Sequence, residues 1–216
     1  MLKLYYYKAE EAFVNLYLHI NHNGVEQNGT RSILNHGFYL LEPKDRHINI
    51  VWRNWKQSYA EREWEWYLSK DRSVAELKKH AKIWDRMHHG DDIVNSNYGW
   101  QWSRNEQLAY VIHELRQNPH SRRAALTIYD GKEHSIHSKD SPCTLNIVFN
   151  ITNSRLNMSV LMRSCDLWYG FCNDQYCFSK LQEMVASQLD MKMGWYYHFV
   201  NNLHIYNTHY DRCKIA

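Results

Sequence analysis

The amino-acid sequence predicts an α+β protein in which helices cover one face of a mixed β-sheet. Helix-like and strand-like patterns follow one another in a mixed order along the chain, which is typical of this fold class. The composition, 44% hydrophobic with 14% aromatic residues, is sufficient for a substantial core. With 8 glycines, 3 prolines and no internal repeat in 216 residues, little of the chain resembles a linker. We therefore expect residues 1–216 to form a single domain.

The first half of the chain is predicted to be mainly helical. Apolar residues at helical spacing predict four helices, and strand-like patterns predict two strands between the first and second of them. The third helix has an additional signal, because Ser73 is a suitable N-cap and Glu76 completes a capping box. Asn118 and Pro119 end the fourth helix. The predicted helices span residues 9–20, 59–68, 73–84 and 107–117, and the predicted strands span residues 32–41 and 48–52.

The second half changes to mainly strand patterns. Residues 144–152 and 156–162 are rich in strand-forming residues and flank a turn at Asn153 and Ser154, which predicts an antiparallel hairpin. A single helical stripe follows over residues 175–189. The remaining predicted strands span residues 123–129, 195–200 and 203–206. Since the helices would cover one face of the sheet, we expect a second copy of the chain to cover the other face, in a sheet-to-sheet homodimer.

Charge and cysteine content narrow the function classes only a little. The formal net charge of +3 fits an anionic small ligand or a weak nucleic-acid surface. No apolar run is long enough to cross a bilayer and the first residues lack a signal peptide, so we expect a cytoplasmic protein. Five cysteines, an odd number without zinc-site spacing, argue against a disulfide framework or a structural zinc. His88 and His89 stand beside two aspartates, but adjacent residues on a polar turn usually face water, and no metal site is predicted.

Cys143 is the first candidate for chemistry. It follows Pro142, which fixes the approach of the chain, and it stands immediately before the predicted strand that begins at Thr144. On these residues alone, a cysteine at a strand edge is more often a small buried hydrophobic residue than a nucleophile. The surrounding motifs change that balance.

Several short motifs occur in the same order as in thymidylate synthases, and the chain resembles that family on their account. They include the Pro-Cys pair of the nucleophile, an Arg-Ser-x-Asp run, a Gly…Asn-Asp run that opens a helix, and a His-x-Tyr-x-Asn run. The resemblance is strongest from residue 83 to residue 210. The matching segments are residues 62–67, 83–85, 95–100, 118–123, 142–143, 163–166, 170–174 and 203–209.

The resemblance implies a nucleotide and folate site with assigned roles. Cys143 would be the nucleophile and Glu63 the general acid/base. Arg163 would lie beside both the thiol, whose pKa a guanidinium lowers, and the substrate phosphate. Arg122 and Arg123 would reach the same phosphate from the partner subunit, where their forked donors suit it. Further substrate contacts would come from Tyr98, Ser164, Asp166, Asn173, His204 and Tyr206, and folate contacts from Trp84 and Asp166. Without the resemblance, adjacent arginines are often a solvated face, and His204 could be an ordinary strand histidine.

The resemblance also implies a reaction. The Cys143 thiolate adds to C6 of a bound pyrimidine deoxynucleotide, so that C5 becomes nucleophilic and accepts a one-carbon unit from 5,10-methylenetetrahydrofolate. Capture of a hydride then yields a methyl group, and capture of water yields a hydroxymethyl group. The expected partners are therefore dCMP and folate, and nucleic acid is not expected as a partner.

Two positions depart from thymidylate synthase. The asparagine that reads the base falls on Asp174, and the histidine that follows the nucleophile falls on Thr144. With both changes the chain resembles the deoxycytidylate hydroxymethylases of T-even phages more closely. A carboxyl group can accept from the N4 amino group of cytosine and, when it shares a proton, engage N3, whereas it would face O4 of uracil acceptor to acceptor. The alternative is that Asp174 merely caps the helix that follows it.

The leading prediction is a one-carbon transferase, dCMP 5-hydroxymethyltransferase. One rival keeps the family but produces a methyl group on dUMP or dCMP. Another is a catalytically idle relative that binds a nucleotide or nucleic acid. One expected feature is missing, because the family's early phosphate-binding Arg or Lys aligns near Val25, and Arg31 is a weak substitute for it.

Overall fold

A mixed β-sheet forms the centre of the computed structural model, which describes residues 3–132 and 139–213. Seven strands in these residues run in the order β1-β3-β7-β6-β5-β4, with β2 paired to β3. The pairs β1–β3 and β6–β7 are parallel, and the others are antiparallel. The strands are β1 (Tyr5–Tyr6), β2 (Val25–Gln27), β3 (Thr30–Leu40), β4 (Ala125–Thr127), β5 (Thr144–Thr152), β6 (Arg155–Asp166) and β7 (Lys192–Tyr206).

Helices pack on one face of this sheet. The α-helices of the described residues are α1 (Ala9–Asn23), α2 (Gln57–Ser69), α3 (Tyr98–Ser103), α4 (Gln107–Gln117) and α5 (Cys172–Gln188). Short 3-10 turns occupy Leu77–Lys79, Lys82–Arg86, Arg104–Glu106 and Asn207–His209, and a π-helical turn occupies Leu167–Phe171. No helix in the described ranges is long and apolar enough to cross a membrane. The predicted α+β class, a mixed sheet with helices, is confirmed.

The two faces of the sheet differ in burial. On β7, Tyr196, His198 and Val200 point towards the helices and are fully buried. Tyr197 and Phe199 alternate with them, point to the opposite face and are half-buried, as strand geometry requires. On that opposite face the Tyr39 ring packs against Tyr197 (4.6 Å between centroids) and against Trp195 (5.2 Å). Among residues 3–132 and 139–213, no helix forms a covering layer on this aromatic face of the sheet.

Most predicted elements of the second half agree with the structure. The predicted strand over residues 144–152 has the observed bounds of β5. The predicted strands over residues 195–200 and 203–206 are parts of one longer strand, β7. The strand predicted over residues 123–129 is only three residues long, because β4 is a short edge strand.

The first half contains two wrong predictions. Residues 48–52 do not form a strand: the chain turns there, since the backbone N–H of Arg53 donates to the carbonyl of Ile50, and Val51 is 93% exposed. Residues 73–84 do not form a helix but two short 3-10 turns. The Ser73 backbone instead pairs with Ile93 in a β-bridge, and Glu76 binds the Lys79 ammonium rather than completing a capping box. Helix α3 was not predicted.

Candidate active site

The ends of three strands meet at one edge of the sheet. β6 and β7 are parallel, and their carboxyl ends align so that Asp166 pairs with His204. β5 runs antiparallel to β6, so that the residue before β5, Cys143, lies at the same edge. The Arg163 N–H donates to the Cys143 carbonyl at 2.8 Å. The topology thus brings together residues that are sixty positions apart in the sequence.

Arg163 fixes the loop that carries the thiol. Its Nε donates to the Pro142 carbonyl at 3.0 Å, and its Nη2 donates to the Ser141 carbonyl at 2.7 Å. The side chain is nevertheless exposed, so that a guanidinium edge faces solvent beside Cys143. A cation held in this way can bind an anionic ligand next to the thiol.

The Cys143 thiol is less acidic than the sequence suggests. Burial raises its pKa to about 11; the Arg163 guanidinium lowers it, and the negative charges of Asp174, Asp140 and Asp166 raise it further. Desolvation and three carboxylates therefore outweigh one arginine, whose donors are already shared with backbone carbonyls. Additional positive charge from a ligand contact or a second subunit would be needed to favour the thiolate at neutral pH.

Asp140 is a structural residue of the site that the sequence did not indicate. Its Oδ2 accepts the backbone N–H groups of Asn95 (2.7 Å) and Ser96 (2.6 Å), and its Oδ1 accepts the Ser96 hydroxyl (2.7 Å). It thereby joins the loop before Cys143 to the segment that opens α3. Asn97 then caps α3 by accepting the Trp100 N–H at 2.8 Å. The two contacts set the position of Tyr98, the first residue of α3.

Tyr98 lies between the thiol and the helices. Its ring is buried, stacks on Phe178 of α5 (5.5 Å between centroids) and packs against Tyr67 of α2 (5.3 Å). Burial, followed by the charges of Asp174 and Cys143, holds the pKa of its hydroxyl well above the ordinary value. Tyr98 therefore remains a neutral phenol close to both groups.

Asp174 lies in the first turn of α5, which begins at Cys172. A cap at the helix start, the alternative role for this residue, is consequently wrong. Its Oδ2 accepts the Cys165 thiol at 3.9 Å, and a Cβ on Gly170 would lie only 3.3 Å from the same oxygen. The residue is half-buried, but its carboxyl group is enclosed, and burial together with the nearby Glu63 charge raises its pKa well above the ordinary value. A carboxyl group of this kind can carry a proton and both donate and accept.

Asn173 and Asp166 are engaged by neighbouring residues. The Asn173 Oδ1 accepts the Trp55 indole N–H at 2.8 Å. The Asp166 carboxylate caps the π-helical turn by accepting the N–H groups of Trp168 (2.9 Å) and Tyr169 (3.3 Å). Burial raises the pKa of Asp166, while these N–H groups and the positive charges of His204 and Arg53 act in the opposite direction.

Glu63 is buried on the face of α2 that points into the site. Burial raises its pKa to about 7, although the hydroxyls of Tyr67 and Tyr59 lower it. Tyr67 donates to the Glu63 Oε1 at 2.9 Å. The indole of Trp84 donates to the Tyr59 hydroxyl at 2.9 Å, which connects the predicted folate contact to the same helix. A carboxyl group with a pKa near neutrality can exchange a proton at physiological pH.

The protein-family model described as "Thymidylate synthase" matches residues 12–216. The chain belongs to the thymidylate synthase family.

Individual relatives fall into two groups with different names. "Thymidylate synthase" of Fusobacterium nucleatum is 28% identical over 182 residues, 81% of this chain and 66% of that protein. "Thymidylate synthase" of Bacillus mojavensis is 28% identical over 171 residues, 74% of this chain and 61% of that protein. "Deoxycytidylate 5-hydroxymethyltransferase" of Enterobacteria phage T4 is 33% identical over 168 residues, 70% of this chain and 68% of that protein. The chain spans about two thirds of the length of the relatives that it matches.

Most of the residues singled out from the family motifs lie at one edge of the sheet. His204 and Tyr206 lie on β7 with their rings 5.3 Å apart, and Ser164 lies on β6. Burial, followed by the charges of Asp166 and Cys143, raises the pKa of Tyr206. The roles assigned to these residues stay predictions.

Arg122 and Arg123 are the exceptions. Ala125 pairs with Val148, which lies five residues along the chain from Cys143. The two arginines lie beyond that pair, so at the usual rise per residue they are about 17 Å or more from the Cys143 thiol. Both side chains are exposed. Neither guanidinium forms an ion pair or hydrogen bond with the described residues. Within one chain of this thymidylate synthase family member, the fold does not bring these arginines to the thiol.

Arg53 is a second residue that the sequence motifs did not indicate. It is buried, its Nε donates to the Trp168 carbonyl at 2.9 Å, and its guanidinium lies 5.0 Å from the centre of the Trp168 ring. It lowers the pKa of Asp166. Arg53 follows the predicted strand over residues 48–52 and belongs to no family motif, and the turn found at residues 51–53 directs it into the site.

Proposed function

We propose that the protein is a dCMP 5-hydroxymethyltransferase that uses 5,10-methylenetetrahydrofolate and water. The observation that carries the proposal is the enclosed Asp174 carboxyl group, which lies at the site edge of α5 where burial and the Glu63 charge raise its pKa. The family membership supports the one-carbon chemistry, and the carboxyl group supports cytosine as the base.

Asp174 would distinguish the two pyrimidines by hydrogen bonding. In its protonated form it donates to N3 of cytosine through one oxygen and accepts from the N4 amino group through the other. The Cys165 thiol, which contacts Oδ2, and the close packing of Gly170 hold the carboxyl group in one orientation. Uracil would place O4 against the accepting oxygen and its N3–H against the donated proton. Such an unmatched buried pair costs about 1–3 kcal/mol.

Cys143 would add to C6 of the bound base. Arg163 holds the backbone of the preceding residues and presents its exposed edge to the nucleotide phosphate. His204 and Tyr206, beside Asp166, would bind the sugar hydroxyl, and Ser164 would give a further donor. Because the pKa of Cys143 is about 11 in the isolated chain, added positive charge is needed to increase the thiolate fraction at neutral pH.

That charge would come from a second subunit in a homodimer. The aromatic sheet face around Tyr39, Tyr197 and Phe199 is half-buried in one chain and would be covered by the same face of the partner. Arg122 and Arg123, exposed and distant from the thiol of their own chain, would reach the phosphate in the partner's site. Such an arrangement uses the three arginines that the resemblance assigns to the phosphate, Arg122, Arg123 and Arg163.

Glu63 and the aromatic residues beside it would complete the reaction site. The Trp84 side chain is 7% exposed, and its indole N–H donates to the Tyr59 hydroxyl. The neighbouring Ile83 is 54% exposed, and together the two side chains would give an apolar surface for the flat ring of the folate. When bound, 5,10-methylenetetrahydrofolate supplies the one-carbon unit. Glu63 would take a proton from the water that ends as the hydroxyl group of the product. Asp166, whose oxygens cap the π-helical turn, would position this edge of the site.

Product analysis tests the proposal. The purified protein is incubated with 5,10-methylenetetrahydrofolate and either dCMP or dUMP, and the nucleotide is weighed by mass spectrometry. We expect a hydroxymethyl group on dCMP. Turnover of dUMP in preference to dCMP would contradict the role of Asp174, and full activity of Cys143→Ala would contradict the mechanism.

A second candidate is a methyltransferase that acts on dUMP or dCMP. It is supported by the similarity to bacterial thymidylate synthases at 28% identity. A methyl product in the same assay would support it. Binding of nucleotide or nucleic acid without any turnover would instead indicate a catalytically idle relative.

A further inference from the structure

Glu63 stands between two tyrosines on one face of α2. Tyr59 and Tyr67 are one helical turn before and after it, so that the three side chains lie in a row. Tyr67 donates to the Glu63 Oε1 at 2.9 Å. Tyr59 accepts the Trp84 indole N–H at 2.9 Å, and it lowers the Glu63 pKa although no hydrogen bond of ordinary geometry joins it to Oε2.

The two carboxylate oxygens of Glu63 are therefore in different situations. Oε1 has a hydroxyl donor, whereas Oε2 is buried and has no hydrogen-bond partner among residues 3–132 and 139–213. Leaving a buried carboxylate oxygen without a partner is costly. An oxygen kept in this state is available for a water molecule or for a reacting group.

Tyr67 is itself held firmly. A Cβ on Gly99 would lie 1.6 Å from the Tyr67 carbonyl oxygen, which shows that α3 packs directly on the α2 backbone at this point. The Tyr67 ring packs 5.3 Å from Tyr98 and edge-on against Trp102 at 5.8 Å. The ring is buried, so the hydroxyl has little freedom to leave Oε1.

We propose that Tyr67 is a positioning residue that fixes the Glu63 Oε1 and thereby makes Oε2 the oxygen that exchanges a proton with the reacting water. This inference rests on the proposed function. In the step, water gives a proton to Oε2 while its oxygen bonds to the exocyclic methylene carbon of the pyrimidine. The electron pair of that C=C bond moves to form C5=C6, and the Cys143 thiolate leaves C6. Atoms and charge balance, since the proton resides on Glu63 and the negative charge on sulfur.

The direction of the pH effect follows from the groups that face Glu63. These are Tyr59 and Tyr67 on α2 and Asp174 and Cys177 on α5. Tyr98 on α3 packs behind them against the Tyr67 ring. The Tyr67 hydroxyl stabilises the carboxylate, so its removal raises the Glu63 pKa above about 7. Because turnover requires ionised Glu63, the acidic limb of the kcat–pH profile then moves to higher pH.

Tyr67→Phe tests the proposal, with Tyr6→Phe as the matched control. Tyr6 is also fully buried, and its hydroxyl lies on β1, away from the site edge, without a partner among the described residues. For Tyr67→Phe we expect kcat to fall about 10- to 100-fold with the KM for dCMP within about twofold, and the low-pH limb to rise. The control should retain the kcat and limb of the wild type. An unchanged kcat and limb in Tyr67→Phe would overturn the proposal.

Two further measurements separate positioning from a structural role. Placing 3-fluorotyrosine at position 67 keeps the ring and the hydroxyl but makes the hydroxyl a stronger hydrogen-bond donor. The acidic limb of the kcat–pH profile should therefore move to lower pH. A limb that stays at the same pH overturns the proposal, even where Tyr67→Phe does not fold. In the Glu63→Gln background, Tyr67→Phe should have no additional effect on kcat. Infrared difference spectra of wild type against Glu63→Gln report the Glu63 ionisation directly. If the wild type lacks turnover, the proposed function fails, whereas the Tyr67–Glu63 coupling is still decided by this spectrum.

Discussion

Replacing Glu63 with glutamine removes the buried carboxyl group of α2, and the effect on stability should depend on pH. The pKa of Glu63 is about 7 in the folded chain, against an ordinary value of 4.5. Because the folded pKa is the higher one, the folded state binds the proton more tightly. The contribution of Glu63 to the unfolding free energy is therefore fully present below about pH 4.5, and it is lost as the pH rises through 7.

The size of the loss follows from the two pKa values. At 1.36 kcal/mol per pH unit, the difference between them corresponds to about 3 kcal/mol. Glutamine keeps the shape and an acceptor for the Tyr67 hydroxyl but cannot ionise. We therefore expect the unfolding free energy of Glu63→Gln, relative to wild type, to rise by about 3 kcal/mol between pH 4 and pH 8.5.

Urea denaturation at the two pH values measures this difference. Glu65→Gln, an exposed carboxyl on the same helix, is the matched control, and its relative stability should change by less than about 0.5 kcal/mol. Comparing each variant with wild type at the same pH cancels the titration of all other groups. A relative stability of Glu63→Gln that does not change with pH would refute the claim that this carboxyl group is desolvated.

Three further predictions concern the chemistry. Asp174→Asn should reverse the base preference, since an amide matches uracil, and the ratio of kcat/KM for dCMP over dUMP should fall at least about 10-fold; an unchanged ratio would show that another group reads the base. Alkylation of Cys143 by iodoacetamide, corrected with Cys143→Ala, should accelerate about tenfold per pH unit from pH 7 to pH 10, because the thiolate fraction grows up to a pKa of about 11, and a plateau below pH 9 would contradict this. Mixing Cys143→Ala with a variant in which Arg122 and Arg123 are alanine should restore activity, to about a quarter of wild type, because mixed dimers contain one complete site; no recovery would argue against arginines shared between subunits.

The strands that build the site could be predicted from sequence because their patterns are local. The bounds of β5 follow from β-branched residues between Cys143 and the Asn153 turn. The predicted helix over residues 175–189 starts three residues after α5 begins and ends one residue beyond it. The family motifs then indicated which residues at the site edge to consider. Their meeting depends on the parallel pairing of β6 and β7, which no local pattern reveals.

The wrong predictions arise from tertiary contacts. Residues 73–84 have helical spacing, but the Ser73 bridge to Ile93 and the contacts of Trp84 with Tyr59 and Trp66 replace the helix with 3-10 turns. The acidity of Cys143 was misjudged for a similar reason. Sequence shows the neighbouring arginine, whereas burial and the clustered carboxylates appear only in three dimensions.

Covalent capture of the nucleotide tests the central claim most directly. The protein is incubated with 5-fluoro-dCMP and 5,10-methylenetetrahydrofolate, digested, and analysed by mass spectrometry. Fluorine at C5 takes the place of the proton whose loss expels the folate, so the reaction stops at the covalent complex of enzyme, nucleotide and folate. We predict that the peptide containing Cys143 gains the mass of the nucleotide and the folate. An unmodified Cys143, or an adduct on another cysteine, would contradict addition of this thiolate to the pyrimidine ring.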